Sequence, residues 1–247
     1  MKKIILTVAA LTSFAFANAQ DFKPTAGKIS LEVNVTSIFL ETLAPGYTAL
    51  PGGLPQQSVP AYGAKVRYFL ADQLAVRLGL GWNSSSTKDP VFFGVGSTKV
   101  SVGENTSSFS EITFIPGFEK HFEGTDKLSP YIGAVIPVSF ASSEEVTITT
   151  GATATDLLTT TTTNQFGSSS FGLGVLSGAD YYISKSLFLG IELGLNFISG
   201  SQKDLVQSST GTGTFATSTT PALTTERGSN FTVNVASNAS FRLGYWF

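Results

Sequence analysis

The stretch AYGAKVRYFLADQLAVRLGLGW, residues 61–82, decides the fold of this chain because apolar residues recur at every second position along both of its halves. Lys65 and Arg67 separate the apolar side chains in the first half, and Arg77 and two glycines separate them in the second. A period of two predicts β-strands with two unlike faces. The short interruption at Ala71–Gln73 predicts a tight turn, so the stretch is predicted to form an antiparallel hairpin.

The same alternation returns along the rest of the chain, and the predicted strands then number eight in all. The segments are residues 28–35, 61–70, 74–82, 108–122, 130–140, 170–183, 187–197 and 230–247. Most are close to the ~9–11 residues that a tilted strand needs to cross a bilayer. We therefore predict an all-β fold, a transmembrane antiparallel up-and-down β-barrel of eight strands.

The connections between these segments alternate in length. Three are short, at Ala71–Gln73, Glu123–Ser129 and Ser184–Ser186, and four are long, at about residues 42–60, 83–108, 141–167 and 199–229. Short periplasmic turns and long extracellular loops are typical of outer-membrane barrels. The long segments are rich in Ser, Thr and Gly, so we expect mobile loops of low complexity. Pro116 and Pro137 fall inside predicted strands, where we expect either a local bulge or nearer strand ends.

The N-terminal residues predict export. Lys2 and Lys3 precede an apolar run that ends in the small-x-small sequence Ala17-Asn18-Ala19, which is typical of a signal peptide. The run is shorter than the ~20 residues of a membrane-spanning helix, so a membrane anchor is the weaker interpretation. We predict a signal peptide over residues 1–19, cleaved after Ala19, and a single barrel domain over residues 20–247. The chain has no cysteine, which excludes disulfides and a lipid anchor on the new N-terminus.

The composition favours a membrane location for the strands. Charged residues make up 13% of the chain and apolar residues 42%, whereas a soluble surface usually carries ~25–35% charged residues. A soluble barrel of the lipocalin type also alternates, but its outer face would be crowded with charges. Here the non-apolar face is mostly Gly, Ser and Asn. We therefore expect the apolar face to point outward into the outer membrane of a Gram-negative type of cell.

The few charges on the non-apolar face predict an interior ion-pair network. By parity the face carries four acidic and four basic residues, which are Glu32, Glu119, Asp180, Glu192, Lys65, Arg67, Arg77 and Arg242. An enclosed interior must approach neutrality because unpaired buried ions are costly, whereas solvated charges could balance by coincidence. We expect Arg77 and Arg242 each to contact at least one of the four carboxylates.

Aromatic residues of the apolar face predict two membrane girdles. The loop-end girdle would comprise Tyr62, Trp82, Phe140, Phe171, Phe197 and Phe231, and the turn-end girdle Tyr68, Phe118, Tyr181, Tyr245 and Phe247. Two aromatic belts at opposite ends of the strands are typical of membrane barrels, and a soluble carrier with an apolar cavity does not need them.

The chain ends on SFRLGYWF, residues 240–247, whose apolar face is Phe241, Leu243, Tyr245 and Phe247. The last strand must pair with the first to remove the edge of a barrel. This ending resembles the C-terminal signature of bacterial outer-membrane β-barrel proteins, and the chain is similar to small barrels of the OmpA/OmpX size class. The resemblance implies outer-membrane lipid as surroundings and the barrel-assembly machinery as a partner that reads the last strand.

The sequence offers little for catalysis or cofactor binding. The chain contains one histidine, His121, at the predicted periplasmic end of a strand. Some outer-membrane barrels are hydrolases that use a histidine, but we interpret His121 as a polar residue at a turn. No metal-ligand spacing or phosphate-binding motif is present, so no enzyme activity, metal or cofactor is predicted. A sequence pI of about 5.4 leaves no basic patch for nucleic acid.

Two functions remain open from the sequence. The first is a monomeric structural scaffold with a plugged, ion-paired interior, which presents its extracellular loops for adhesion or for binding a ligand. The second is a narrow channel or transporter for ions or small solutes. An eight-stranded barrel has a lumen just wide enough for side chains, which favours the scaffold.

Overall fold

A computed structural model describes residues 22–35, 63–93, 100–152, 157–212, 217–225 and 232–247. These residues form one antiparallel sheet of eleven strands. The strands are β1 (Ile29–Asn34), β2 (Ala64–Ala71), β3 (Leu74–Phe93), β4 (Val100–His121), β5 (Leu128–Val135), β6 (Val138–Ala152), β7 (Leu157–Tyr182), β8 (Leu187–Gln202), β9 (Leu205–Thr212), β10 (Thr217–Thr225) and β11 (Thr232–Trp246). The predicted signal peptide and the predicted loop at residues 42–60 lie outside the described residues.

The barrel wall consists of eight strand positions that pair into a closed ring, which confirms the predicted barrel. Strands β1 to β4 pair in sequence order, β7 pairs with β8, and β11 pairs with β8 on one side and with β1 on the other. Strands β5 and β6 together form one wall strand between β4 and β7. The closing seam matches Glu32 with Gly244 and Val33 with Leu243, so the last strand is held on both sides.

The short connections match the predicted turns. Two residues, Asp72 and Gln73, connect β2 to β3. The chain also turns between His121 and Leu128 and between Tyr182 and Leu187. Gly124 adopts a φ of 56° in the second of these turns, a left-handed conformation that glycine adopts without steric cost.

The long connections differ from the prediction, because much of their length is strand. Strand β3 continues to Phe93 and β7 begins at Leu157, so most of the segments 83–108 and 141–167 is paired sheet. The segment 199–229 contains β9 and β10, and β9 pairs with β7. Threonine is β-branched and favours strands, and hydroxyls bond across them, as Thr150 and Thr159 do at 3.2 Å.

The prolines interrupt the wall without shifting its register. Pro116 lies within β4, and Pro137 falls in the gap between β5 and β6. Gly117 pairs with Val135 before the gap and Phe114 with Val138 after it, so the register is unchanged. The expected bulge is therefore absent, and a nearer strand end accommodates Pro137.

The two faces of the wall differ as a membrane barrel requires. Outward-facing apolar side chains such as Leu78, Ile132 and Ile191 are exposed, whereas the inward-facing positions are buried and many of them are polar. Within the described part of the chain, no helix is long and apolar enough to span a membrane.

Candidate functional site

The candidate site is a cluster of charged side chains inside the barrel, contributed by β1, β2, β3, β4, β7, β8 and β11. Its members, which we call the charge cluster, are Glu32, Lys65, Arg67, Arg77, Glu119, Asp180, Glu192 and Arg242. Each is at most 8% exposed. Strict alternation along the wall strands brings them together, because residues two apart share a face. Four acidic and four basic groups leave the cluster formally neutral.

Arg67 joins three walls of the barrel and is fully buried. Its guanidinium donates to Glu119 of β4 at 2.9 Å, lies 2.7 Å from Asp180 of β7, and also contacts Glu32 of β1. The planar fork of arginine suits several carboxylates at once. This single side chain therefore links strands that are not neighbours in the sheet.

Arg77 and Lys65 reach Glu192 from adjacent strands, and each also contacts a second carboxylate. Arg77 contacts Glu119 at 2.7 Å and Glu192 at 2.8 Å, and Lys65 contacts Glu32 at 3.0 Å and Glu192 at 3.3 Å. Both partners of Arg77 are among the four carboxylates expected for it. Sharing of this kind leaves no acid of the cluster without a cation.

Arg242 joins the last strand to the cluster through four side chains. It lies 3.1 Å from Asp180 and 3.9 Å from Glu192, contacts Glu32, and donates to the hydroxyl of Tyr131. That hydroxyl in turn donates to Glu192 at 2.8 Å. The sequence analysis did not include Tyr131 among the interior residues. Its position in the alternation of its strand places it on the inward face, and this could have identified it.

We expect Tyr131→Phe to lower the free energy of unfolding by about 1–3 kcal/mol, because it removes a buried hydroxyl between two charged groups. The shift of the urea midpoint in detergent, followed by the mobility difference between heated and unheated samples, measures this. Tyr68→Phe is the matched control, since Tyr68 is exposed on the outer face and should leave the midpoint unchanged. Equal midpoints for the two variants would contradict the role given to Tyr131.

A layer of buried aromatic side chains lies below the charge cluster, at the periplasmic end. Phe69, Tyr182 and Phe188 are buried there, and the rings of Tyr182 and Phe188 are 5.4 Å apart. The guanidinium carbon of Arg67 lies 5.1 Å from the centre of the Phe188 ring, a distance typical of cation–π contact. The layer therefore packs directly against the cluster.

His121 lies inside the barrel rather than at a turn, which corrects the interpretation made from the sequence. It is the last residue of β4 and is buried, with Nε2 at 3.1 Å from Glu119 and Nδ1 at 2.9 Å from Ser129. A carboxylate only accepts hydrogen bonds, so Nε2 carries the proton, and in the neutral ring Nδ1 accepts from Ser129. The alternation of β4 turns His121 inward with Glu119, and that parity could have revealed it.

The predicted girdle residues lie mainly on the exposed outer face. Exposed members are Tyr68, Trp82, Phe118, Phe140, Phe171, Tyr181, Phe197 and Phe247. Tyr245 differs, since it is only 9% exposed and packs edge-on against Phe247 at 4.9 Å between ring centres. Tyr62 and Phe231 lie outside the described residues.

The terminal residues are paired rather than frayed. The backbone N–H of Phe247 donates to Ile29 at 2.8 Å and that of Trp246 to Ser186 at 3.0 Å. Phe241 and Leu243 are half-buried on the outer face of β11. The last strand is therefore fixed by both the first strand and β8.

Within the described residues, no group of three or more His, Asp and Glu side chains could hold a metal ion. The carboxylates of the cluster are already occupied by arginine and lysine, so their chemistry is that of structural ion pairs.

A closed ring of strands with an apolar exterior and a polar, ion-paired interior defines the class of outer-membrane β-barrel proteins. Residues 55–197 match the model of the OmpA-OmpF-like porin family, and the chain belongs to that family. It lies in the Gram-negative outer membrane. No curated protein sequence matches the chain.

Three of the solved structures similar to this chain come from Pseudomonas aeruginosa and Acinetobacter baumannii. The N-terminal β-barrel domain of Pseudomonas aeruginosa OprF is 14% identical, with a TM-score of 0.31, and the match covers 91% of this chain and 100% of that one. The outer membrane protein OprG of the same organism is 15% identical, with a TM-score of 0.39 and coverage of 92% and 99%. CarO of Acinetobacter baumannii is 10% identical, with a TM-score of 0.37 and coverage of 92% and 100%.

Proposed function

We propose that this protein is a monomeric surface scaffold whose interior is plugged and whose extracellular strands and loops serve adhesion or binding. The observation that carries the proposal is the reach of Arg67 from β2 to carboxylates on both β4 and β7. Such contacts cross the lumen instead of lining it. A narrow channel or transporter is the competing function.

Two further features at the periplasmic end of the barrel support a closed lumen. The aromatic layer of Phe69, Tyr182 and Phe188 lies beneath the charge cluster, and the segment before β1 lies across the opening. Trp246 Nε1 donates to the carbonyl of Phe22 at 3.2 Å, and the N–H of Ala26 donates to Asp72 at 2.9 Å. A cavity of about 490 Å³ between this segment and the aromatic layer ends on buried His121 and Ser129.

The extracellular end supports a role in display. Strands β3, β4, β6, β7, β9 and β10 continue from the barrel as one hydrogen-bonded sheet. Hydroxyl and ionic contacts join its strands, such as Ser86 with Ser108 at 3.2 Å and Lys88 with Glu104 at 2.7 Å. The hydrogen bond from Lys88, with a second from Thr106, lowers the pKa of Glu104. A sheet rooted in the barrel would hold binding loops at a fixed orientation.

The C-terminal strand supports a proposed partner inside the cell envelope. The residues Phe241, Leu243, Tyr245 and Phe247, which share the outward parity of this strand, carry the signature that the barrel-assembly machinery reads in similar proteins. Lipid of the outer membrane surrounds the exposed apolar face.

Recordings in planar bilayers test the proposal against the channel alternative. We expect the full-length mature protein to give at most rare, small openings, because the charge cluster and the aromatic layer fill the lumen. The double variant Arg77→Ala with Glu192→Ala removes one opposite pair and keeps the charges balanced, so it should open more often than the wild type. Large, steady conductance of the wild-type protein would contradict the proposal and favour the channel.

A further inference from the structure

An apolar cavity of about 480 Å³ opens on the outer face of the wall where β4, β5 and β7 meet. We call it the wall notch; its outward-facing lining is Phe118, Ala134, Ile136, Leu173, Val175 and Phe197. Gly117 and Gly174 also line it, so the notch reaches the backbone of the wall. No charged side chain lines it.

Two prolines remove hydrogen bonds from the wall beside the notch. Ile136 donates its N–H to Pro116 at 2.9 Å, and Gly172 donates to Pro137 at 2.9 Å. In an antiparallel pair of this kind the partner normally donates in return, but proline has no N–H. Two adjacent rungs, one on each side of the interrupted wall strand, therefore lack half of their hydrogen bonds.

A small buried group of largely apolar side chains lies behind the notch, beside the amide of Asn196. Tyr131, Val135 and Leu176 form a buried group there, against which Ile115 packs. The outward-facing lining of the notch is therefore apolar, whereas on the inside the hydroxyl of Tyr131 contacts Glu192 and Arg242 of the charge cluster. A polar or charged occupant would find no partner among the outward-facing side chains of the notch.

We propose that one hydrocarbon chain of an outer-membrane lipid docks in the wall notch. The notch opens on the membrane-facing surface, where Leu173 is 64% exposed and Phe118 55% exposed. An empty recess loses the dispersion contacts of the atoms that line it. A lipid chain restores these contacts without a hydrogen-bonding requirement, and it is the molecule present around this face of the barrel.

Photo-crosslinking in vesicles tests the proposal. The full-length mature protein is reconstituted with phosphatidylethanolamine, phosphatidylcholine and a phospholipid that carries a diazirine within one acyl chain. Labelled positions are then located by tandem mass spectrometry. Leu193 is the matched control for Leu173, because both are 64% exposed on the outer face and only Leu173 lines the notch. We expect several-fold more label at Leu173 than at Leu193.

Filling the notch should remove this excess. Ala134→Phe places a ring in the recess without changing a backbone hydrogen bond, and the label at Leu173 should then fall to that at Leu193. Val76→Phe adds the same ring on an outward position outside the notch and should leave the excess intact. Val175→Trp replaces Ala134→Phe if the latter does not fold.

Three outcomes would overturn the proposal. Equal labelling of Leu173 and Leu193 in the wild-type protein would mean that lipid contacts the whole outer wall without preference for the notch. An excess that persists in both filled variants means that the label does not report the notch. Absence of lipid label at Leu173 in vesicles where the protein is dimeric would assign the notch to a second copy of the chain.

Discussion

Arg242→Ala is expected to lower the free energy of unfolding by about 3–5 kcal/mol, the range for breaking a buried ion pair by removing one partner. The substitution deprives Asp180 of a contact at 3.1 Å and Glu32 of a direct partner, while both carboxylates stay buried. It also leaves the cluster with four acids and three bases. The urea midpoint in detergent, read from the mobility difference between heated and unheated protein, measures the loss.

A second substitution separates the electrostatic effect from a simple loss of packing. Glu32→Gln in the Arg242→Ala background restores neutrality, so it should recover part of the lost stability. Lys88→Ala is the surface control: the ion pair of Lys88 with Glu104 is exposed, and exposed pairs contribute little. A midpoint for Arg242→Ala that equals that of Lys88→Ala would show that the interior charges do not stabilise the barrel.

Gly178→Ala is expected to destabilise the barrel by about 1–3 kcal/mol through overpacking. A Cβ at this inward position would lie 2.6 Å from the carbonyl oxygen of Ile191 on β8 and would also meet the ring of Tyr131. The Ile191 atom is backbone, so the wall itself must shift. Because Tyr131 contacts Glu192 and Arg242, its displacement would also disturb the charge cluster. The same unfolding measurement in detergent reports the effect.

Gly200→Ala is the matched control for this glycine. A Cβ there would have its nearest neighbour at 3.8 Å, which is ordinary van der Waals contact, so the midpoint should stay at the wild-type value. If Gly178→Ala also unfolds at the wild-type urea midpoint, the interior can accommodate the added methyl group and the overpacking argument is wrong.

The barrel was predictable because a bilayer permits few solutions. Strict alternation in segments such as residues 61–82 assigns each side chain to one of two faces, and closure then turns one face inward. Parity alone therefore placed Arg67 and Arg77 on the inner face together with Glu119. It could not assign partners, because these depend on register and on which walls face each other across the lumen.

Strand ends and interior neighbours were less accessible from the sequence. The Thr-rich segment that begins β7 resembled a mobile loop because composition carries no information about a pairing partner. Such a polar segment becomes a strand when neighbours such as β6 and β9 satisfy its backbone. His121 was interpreted as a residue at a turn although the predicted strand reached residue 122, because the inward parity that it shares with Glu119 was not applied to it.

The sequence by itself determined that the chain forms a closed membrane barrel with its charges inside, since alternation, low charge and paired ends leave no other way to satisfy the backbone in lipid. Only the tertiary structure decided that Arg67 and Arg242 share Glu32 and Asp180, that Tyr131 contacts Arg242, and that an apolar notch lies beside two prolines in the wall. These features depend on contacts between strands far apart in the chain, which a local pattern cannot encode.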